Sequence, residues 1–442
     1  MPNSTYMKFD RRRFLKLGAA GTALAVAPVV SGGEAAATVR TNARIVIAGA
    51  GAAGLSMAAQ LSERLDGATI TMIDSRVRHY YQPGFTLVAA GLKNAGYAVS
   101  RTADYVPRDV EWIEDSVAEF DPDGNKVITQ GGQSVPYDFL VVAAGIDLDY
   151  DAIEGMEVDR IGQDGIGSVY HSPEMAEATY AAMSRFAEEG GVGLFHRPAT
   201  EMKCAGAPLK YTFITDDVLR RRGNRARAEL IYAAHDGVHF SVPIVSEKVR
   251  MLYQDRGIDT VFHHVLKQID IGAKEATFDT PEGDATIDYD FINVVPPMRA
   301  AAAVRNSPLP WHTGPYAADG WVEVHRETMR HLRYPNVFAV GDIAGVPKGK
   351  TAASVKWQVP VAADHIAADL AGEESDSAFN GYTSCPLITR FGRAMLVEFD
   401  YHDNLMPSFP GIIAPLEELW VSWVMKTIAL KPTYLAMLRG RA

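Results

Sequence analysis

The sequence predicts an α/β fold of two parallel-sheet domains with an amphipathic tail. Three observations carry this: a glycine-rich turn between an apolar run and a helix near residue 50, a second strand-helix-strand pattern near residue 190, and a change of character after residue 403. At 442 residues, 47% hydrophobic and 22% charged, the chain has room for two or three domains with sizeable cores. Its formal net charge of -11 argues against a nucleic-acid binder, because phosphate neutralisation needs clustered Lys and Arg.

Residues 1–37 read as a targeting leader rather than as fold. Arg11, Arg12, Arg13, Phe14, Leu15 and Lys16 open a basic region, residues 17–30 are apolar and uncharged, and Ala35, Ala36 and Ala37 offer a small-residue cleavage site. The pattern resembles a twin-arginine signal. It implies a protein that folds around its cofactor before export to the periplasmic side of a bacterial cytoplasmic membrane. The competing reading, a short membrane anchor, is opposed by the shortness of the apolar run.

Residues 44–48 read as a buried strand, followed by Gly49, Gly51 and Gly54 in G-x-G-x-x-G spacing and a helix over 55–65. The first glycine permits the turn, the second lets backbone approach a pyrophosphate, and the third lets helix and strand pack closely. A second strand, 69–73, ends at Asp74, where a carboxylate can accept from adenosine ribose hydroxyls. Two later segments, 137–145 ending at Gly145 and 336–342 ending in Gly341-Asp342, resemble the further FAD signatures of the two-dinucleotide-binding-domain flavoproteins. The predicted fold is therefore two Rossmann-like dinucleotide-binding domains, the FAD domain being discontinuous. Its parts span 43–160 and 301–402, the second Rossmann-like domain 161–300, and a C-terminal membrane-binding segment 403–442. A helix over 351–370, kinked by Pro360, should aim its N-terminus at the flavin.

The second domain has its strand, 191–195, then no glycine motif. Pro198 and Pro208 remove backbone donors, and Cys204 stands where glycines would cradle NADH; a helix over 211–222 and a strand over 229–234 follow. NADH is thus not expected to be the electron donor. Cys204 and Cys385 are the only cysteines, and a purely structural disulfide between them would close a loop of about 180 residues, worth roughly 4 to 5 kcal/mol.

Several stretches carry a more specific resemblance: Lys203-Cys204-Ala205-Gly206-Ala207-Pro208-Leu209-Lys210, Tyr80-Tyr81-Gln82-Pro83 with Gly84 and Thr86, Val295-Pro296-Pro297-Met298, Lys350-Thr351-Ala352-Ala353 and Gly381-Tyr382-Thr383-Ser384-Cys385-Pro386-Leu387. Together, over about 43–401, they resemble sulfide:quinone oxidoreductase of the two-cysteine type. The leader and the lack of the third cysteine found in many bacterial members depart from that family's patterns. The resemblance implies FAD held by Gly49, Gly51, Ala53, Gly54, Asp74, Gln82, Val117, Gly145, Asp342, Lys350, Thr351 and Ala352. It also implies a catalytic Cys204/Cys385 disulfide that hydrosulfide opens, leaving one cysteine as persulfide and the other as a thiolate directed at the flavin. Lys203 and Lys210 flank Cys204 and either favour its thiolate or are simply solvated. Which cysteine closes onto the flavin stays open.

Along residues 416–430 Leu416, Leu419, Trp420, Trp423, Val424 and Ile428 share one helical stripe, with Glu417, Glu418, Ser422 and Lys426 largely opposite; a further helix is expected over 433–441. About 15 residues cannot span a bilayer, so the face suits an interfacial helix, the protein core or a second copy of the chain. The family implies peripheral membrane attachment, quinone as electron acceptor and a small-molecule sulfur acceptor; Phe391, Phe399 and Tyr401 are candidate quinone contacts. His263-His264 is read as part of a strand, and no metal is expected. The rivals are a flavocytochrome-type sulfide dehydrogenase subunit, a flavin electron-transfer module with a structural disulfide, and a membrane NADH dehydrogenase.

Overall fold

The computed structural model describes residues 38–441, and the leader read at 1–37 lies outside them. The first sheet is built on β1 (Arg44–Ala48), whose Ile45, Val46 and Ile47 are fully buried, as a central parallel strand covered on both faces requires. Helix α1 (Ala52–Arg64) follows, three residues earlier than expected, because Gly51 already serves as its N-cap. β2 (Thr69–Ile73), β3 (Val110–Ile113) and β4 (Phe139–Val142) add parallel neighbours.

The chain then leaves for a second sheet: β5 (Ile166–Gly167), α2 (Pro173–Glu189), β6 (Gly191–His196), α3 (Ala207–Arg221), β7 (Ala228–Ala233), α4 (Pro243–Arg256), β8 (Asp259–Val261) and β9 (Phe291–Asn293). Its order is β5-β9-β6-β7-β8, all parallel. Helix α3 starts four residues before the expected position. Pro208 falls in its first turn, where a missing N–H costs nothing, so it opens the helix rather than lengthening the loop.

β10 (Val337–Ala339) returns to the first sheet and completes its order, β10-β4-β1-β2-β3. Helix α5 (Ala352–Ala371) carries Pro360 inside it and is capped by Thr351, whose hydroxyl accepts from the Ser354 N–H at 3.2 Å. A hairpin of β11 (Thr383–Arg390) and β12 (Arg393–Phe399) lays Leu387 and Ile388 into the same core as Leu209 and Phe213 of α3.

The tail differs from expectation. Leu419 pairs as a β-bridge with Ala394, so helix begins only at Trp420. α6 (Trp420–Val424) passes through a π-helical turn, Met425–Ala429, into α7 (Leu430–Met437), which runs through Pro432 without a break. The wide turn lies where the proline ring would otherwise meet the carbonyl four residues back. Tyr434, Met437 and Leu438 are buried in the first domain's core, and Ser56 of α1 donates to the Met437 carbonyl at 3.1 Å. His263 and His264 also depart from expectation: they sit in a connection between strands, His263 with a left-handed φ of 57°.

Candidate active site

Two constructions meet at the carboxyl ends of the sheets. The first is the glycine turn between β1 and α1. A Cβ at Gly54 would stand 1.8 Å from the Gly49 carbonyl oxygen, and one at Gly49, with φ of 117°, 2.4 Å from that of Ala143. Gly51 is different: its nearest neighbour is the Arg76 guanidinium at 3.9 Å, which leaves its face open to a ligand. The first turn of α1 carries no acid, so its free N–H groups face that opening without an internal anion.

Asp74 ends β2 nearby, its carboxylate accepting from the Ala50 N–H at 2.6 Å and from Arg76 at 2.8 and 3.1 Å. Burial works against the charged form, but Arg76 and the backbone donors outweigh it and hold the carboxyl below its usual range. Asp342 follows β10, partly buried. Burial pushes its carboxyl up against the pull of Lys203 and Lys350. Lys350 is buried, donates to the carbonyls of Asp342 (2.6 Å) and Ala344 (3.1 Å), and lies 3.7 Å over the Trp321 ring. Thr351 and Ala352 open α5, Gly145 lies just past β4 with φ of 74°, and Ala53 lies in the first turn of α1. Val117 begins a strand packed on the first core, whereas Gln82 opens a short 3-10 turn and is exposed. An open glycine cradle, an acid at the end of the second strand and a helix N-terminus beside a Gly-Asp corner fit a dinucleotide such as FAD.

The second construction is the cysteine pair. Cys204 lies in the loop between β6 and α3 with a left-handed φ of 48°, and its carbonyl accepts from the Ala207 N–H at 2.8 Å. Its own N–H donates to the Lys350 carbonyl at 3.0 Å, tying the cysteine loop to the Gly-Asp corner. Cys385 comes from β11 and is buried. Both are free thiols, near enough for their side chains to share a hydrogen bond. A Cβ at Gly206 would stand 2.4 Å from the Cys385 sulfur, so only glycine lets the two elements close up.

Lys210, on the first turn of α3 and buried, donates to the Cys204 sulfur at 3.2 Å and to the Cys385 sulfur at 3.7 Å. The hydrogen bond from Cys385, the Lys210 ammonium and the charge of Lys426 all favour Cys204 as the thiolate, against the cost of burial. Cys385, as its donor, is pushed up by that same bond and by burial. Burial opposes the Lys210 ammonium, yet the two sulfurs outweigh it and raise its pKa. Of the two lysines flanking Cys204, then, Lys210 is the partner, while Lys203 feels chiefly burial, which lowers it to about 8, and the charge of Asp342.

Two further groups were not legible in the sequence. Tyr170, beyond β5, donates its hydroxyl to the Cys204 carbonyl at 3.1 Å. Lys426, expected on the polar side of the tail, is buried and donates to the Pro83 carbonyl at 2.6 Å; burial and the neighbouring Lys210 lower it to about 7. A lone lysine in an apolar helix was the only signal for it. Of the candidate quinone contacts, Phe399 is buried against Phe240, Tyr401 donates to the Arg326 carbonyl, and Phe391 packs 6.0 Å from Trp423 of the tail.

Residues 43–176 match the pyridine nucleotide-disulphide oxidoreductase family. Over 400 residues the chain is 35% identical to the mitochondrial sulfide:quinone oxidoreductase of Dictyostelium discoideum, covering 90% of this chain and 86% of the relative. The mitochondrial enzyme of the same name from Mus musculus is 34% identical over 381 residues, covering 85% and 82%. Among solved structures, the sulfide:quinone oxidoreductase of the hyperthermophilic bacterium Aquifex aeolicus superposes with a TM-score of 0.75 at 22% identity, over 90% of this chain and 92% of that one.

Proposed function

The chain belongs to the sulfide:quinone oxidoreductase family, and from that premise we propose that it oxidises hydrosulfide at Cys204 and Cys385 and delivers the electrons through FAD to a quinone. The observation that carries this reading is the single buried ammonium of Lys210 within hydrogen-bond reach of both sulfurs, on elements that converge from distant parts of the chain.

In the oxidised pair hydrosulfide attacks one sulfur of the disulfide; a new S–S bond forms, the old one breaks, and the other sulfur leaves as thiolate. Lys210 lies nearer Cys204 (3.2 Å) than Cys385 (3.7 Å) and so favours Cys204 as that leaving thiolate, and Cys385 carries the persulfide. A small nucleophilic acceptor then attacks the outer sulfur and carries it off as persulfide or polysulfide, Cys385 is left as thiolate, and the pair can close again to the disulfide by giving two electrons to bound FAD. Bound FAD, held by the glycine turn, Asp74 and the Asp342 corner, supplies the two-electron relay toward quinone.

Peripheral membrane attachment is supported by an exposed apolar set on the tail: Ile412 (78% exposed), Trp420 (52%), Val421 (39%) and Ile428 (66%). No helix among the described residues is long and apolar enough to cross a membrane. The packing of Phe391 against Trp423 of the tail, 6.0 Å between ring centres, supports a quinone contact beside that surface. The domain limits remain those proposed from the sequence, 43–160, 161–300, 301–402 and 403–442. The leader supports a periplasmic location, and the mitochondrial names of the relatives weigh against it; fractionation of the cells that make the protein decides. A flavocytochrome-type subunit is not favoured, since these relatives are named for quinone.

Anaerobic sulfide should bleach the flavin while NADH leaves it oxidised, and Cys204→Ser or Cys385→Ser should abolish bleaching. Bleaching that survives both substitutions sinks the mechanism. Decylubiquinone, offered separately from cytochrome c, should be the acceptor that restores the colour.

A further inference from the structure

The second sheet keeps the geometry of a dinucleotide site whose ligand it no longer suits, and the residues left there are chemically odd. β6 has β9 on one side and, on the other, β7, to which α3 carries the chain, and the crevice beyond the carboxyl ends of such parallel strands is where these sheets bind ligands. At the end of β9, Asn293 is fully buried with neither its amide oxygen nor its nitrogen hydrogen-bonded. At the end of β7 the Tyr232 hydroxyl is buried without a partner, and so is Nδ1 of His235 just beyond. Arg197 follows β6 directly, its Nε is buried and unpartnered, and no carboxylate pairs with it among the described residues; the nearby Asp236 pairs instead with His235 at 3.4 Å. Buried polar groups without partners are costly, and several around one arginine mark a place for a polar ligand.

Tyr170 connects this crevice to the cysteine pair. Its hydroxyl bonds the Cys204 carbonyl and also feels the charges of Arg197 and of both cysteines. The protein as a whole is acidic, at -11, whereas hydrosulfide is an anion at neutral pH, so its approach needs a local cation not already neutralised. Lys210 is committed to the sulfurs, Lys426 donates to the Pro83 carbonyl, and Lys203 is opposed by burial and faces the charge of Asp342.

We infer that the vacated dinucleotide crevice is a docking subsite for small sulfur anions, with Arg197 as its cation and Tyr170 as its wall toward Cys204. The subsite rests on the sulfide reading above. Its ligand is the monovalent anion, whether hydrosulfide on its way in or a persulfide chain on its way out. Arg197 positions the anion and takes no part in bond exchange.

The test uses full-length holoenzyme, reduced and anaerobic, with alkylation at Cys204 followed by peptide mass mapping. Anionic iodoacetate and neutral iodoacetamide are compared. In Arg197→Met the iodoacetate rate should fall about fivefold to tenfold while the iodoacetamide rate stays unchanged, and Arg197→Lys should restore most of the loss. Sodium thiocyanate, an inert monovalent anion, should protect Cys204 in the wild type and not in Arg197→Met. In turnover the KM for sulfide should rise about tenfold in Arg197→Met with kcat kept if the subsite serves entry. A fall in kcat with KM unchanged assigns it to the departing chain instead. Equal alkylation ratios in Arg197→Met and wild type, with no thiocyanate protection in either, overturn the subsite. If Cys204→Ser still abolishes sulfide oxidation in that case, the function stands and only the subsite falls.

Discussion

At the scale of single residues the site turns on how one proton and one ammonium are shared by two sulfurs. Lys210 donates to both, and the structure leaves it no carbonyl or carboxylate partner on its side chain among the described residues. Replacing it by methionine keeps the volume and removes the charge, so the Cys204 thiolate loses its cation and its pKa rises. Iodoacetamide alkylation of Cys204 in the reduced protein should then slow by about tenfold or more at pH 7 and recover only at alkaline pH. An unshifted pH profile would show that the cation is dispensable. Gly206 offers a second test, because its φ of -84° and ψ of -4° are open to any residue and alanine is the better helix former. What opposes the change is the contact of its Cβ with the Cys385 sulfur at 2.4 Å and, less severely, with a Leu387 methyl at 3.3 Å. Gly206→Ala should therefore cost about 1 to 3 kcal/mol of stability by overpacking, less the helix-propensity gain, while sulfide-dependent flavin bleaching drops by about tenfold or more in protein that is still folded, since the pair can no longer approach. Cys204 was legible as an anomaly in a glycine loop, and Cys385 as the one other cysteine that could pair with it. Lys210 was not, because nothing local tells a solvated lysine from one folded back over its own helix N-terminus.

At the scale of elements, the tail shows how an amphipathic pattern can be right in kind and wrong in register. The stripe from Leu416 to Ile428 assumes one regular helix, but the bridge between Leu419 and Ala394 delays the start and the π turn rotates the residues beyond it. Leu416 and Trp423 consequently pack on the second core, while Trp420, Val421 and Ile428 face outward. α7 is not part of that surface at all, since Tyr434, Met437 and Leu438 belong to the first core. Deleting everything from Leu416 would remove core as well as docking face, so point changes are the cleaner probe. Trp420→Ser combined with Ile428→Ser should release the protein from liposomes in flotation. It should lower turnover with membrane quinone severalfold and leave activity with a soluble short-chain quinone intact, because each apolar side chain contributes about 1.5 to 3 kcal/mol when fully buried. Retention on liposomes by the double variant would place the attachment elsewhere.

At the scale of the whole molecule, the two sheets were legible because a parallel strand covered on both faces is a continuous apolar run, as in Ile45-Val46-Ile47, and glycine spacing marks the turn after it. Local pattern did not show convergence: β11 and the tail reach the α3 N-terminus from about 180 and 220 residues away, the family resemblance alone implied that Cys385 meets Cys204, and nothing in the sequence brought Lys426 there. The same packing leaves a property that belongs to no single site, a set of buried neutral histidines. His196 accepts the Val295 N–H at Nε2 (3.0 Å), and His331 accepts the Arg333 N–H at Nδ1 (3.0 Å), so each loses a hydrogen bond on protonation. Burial lowers His196 to about 3 and His79, His239 and His331 to about 4. In the unfolded chain each takes up a proton near pH 6.5, while the folded protein declines it until about pH 4. The unfolded state thus binds more protons across that window, and stability falls as pH drops from about 6.5 to 4, by up to about 3 kcal/mol per histidine. The depressed lysines add nothing here. Lys426, Lys203 and Lys350, at about 7 to 8, are charged in both states below that range, and their effect lies between their folded values and about 10.5. Asp74, held below the usual carboxylate range, acts only at lower pH still. Against a total stability of about 5 to 15 kcal/mol, the histidines alone should bring acid unfolding into reach above pH 4. Guanidinium midpoints measured at pH 7, 6 and 5 should fall steadily with an unchanged slope, and His331→Gln should flatten part of the decline; midpoints that hold steady from pH 7 to 5 would mean that these imidazoles are not buried neutral.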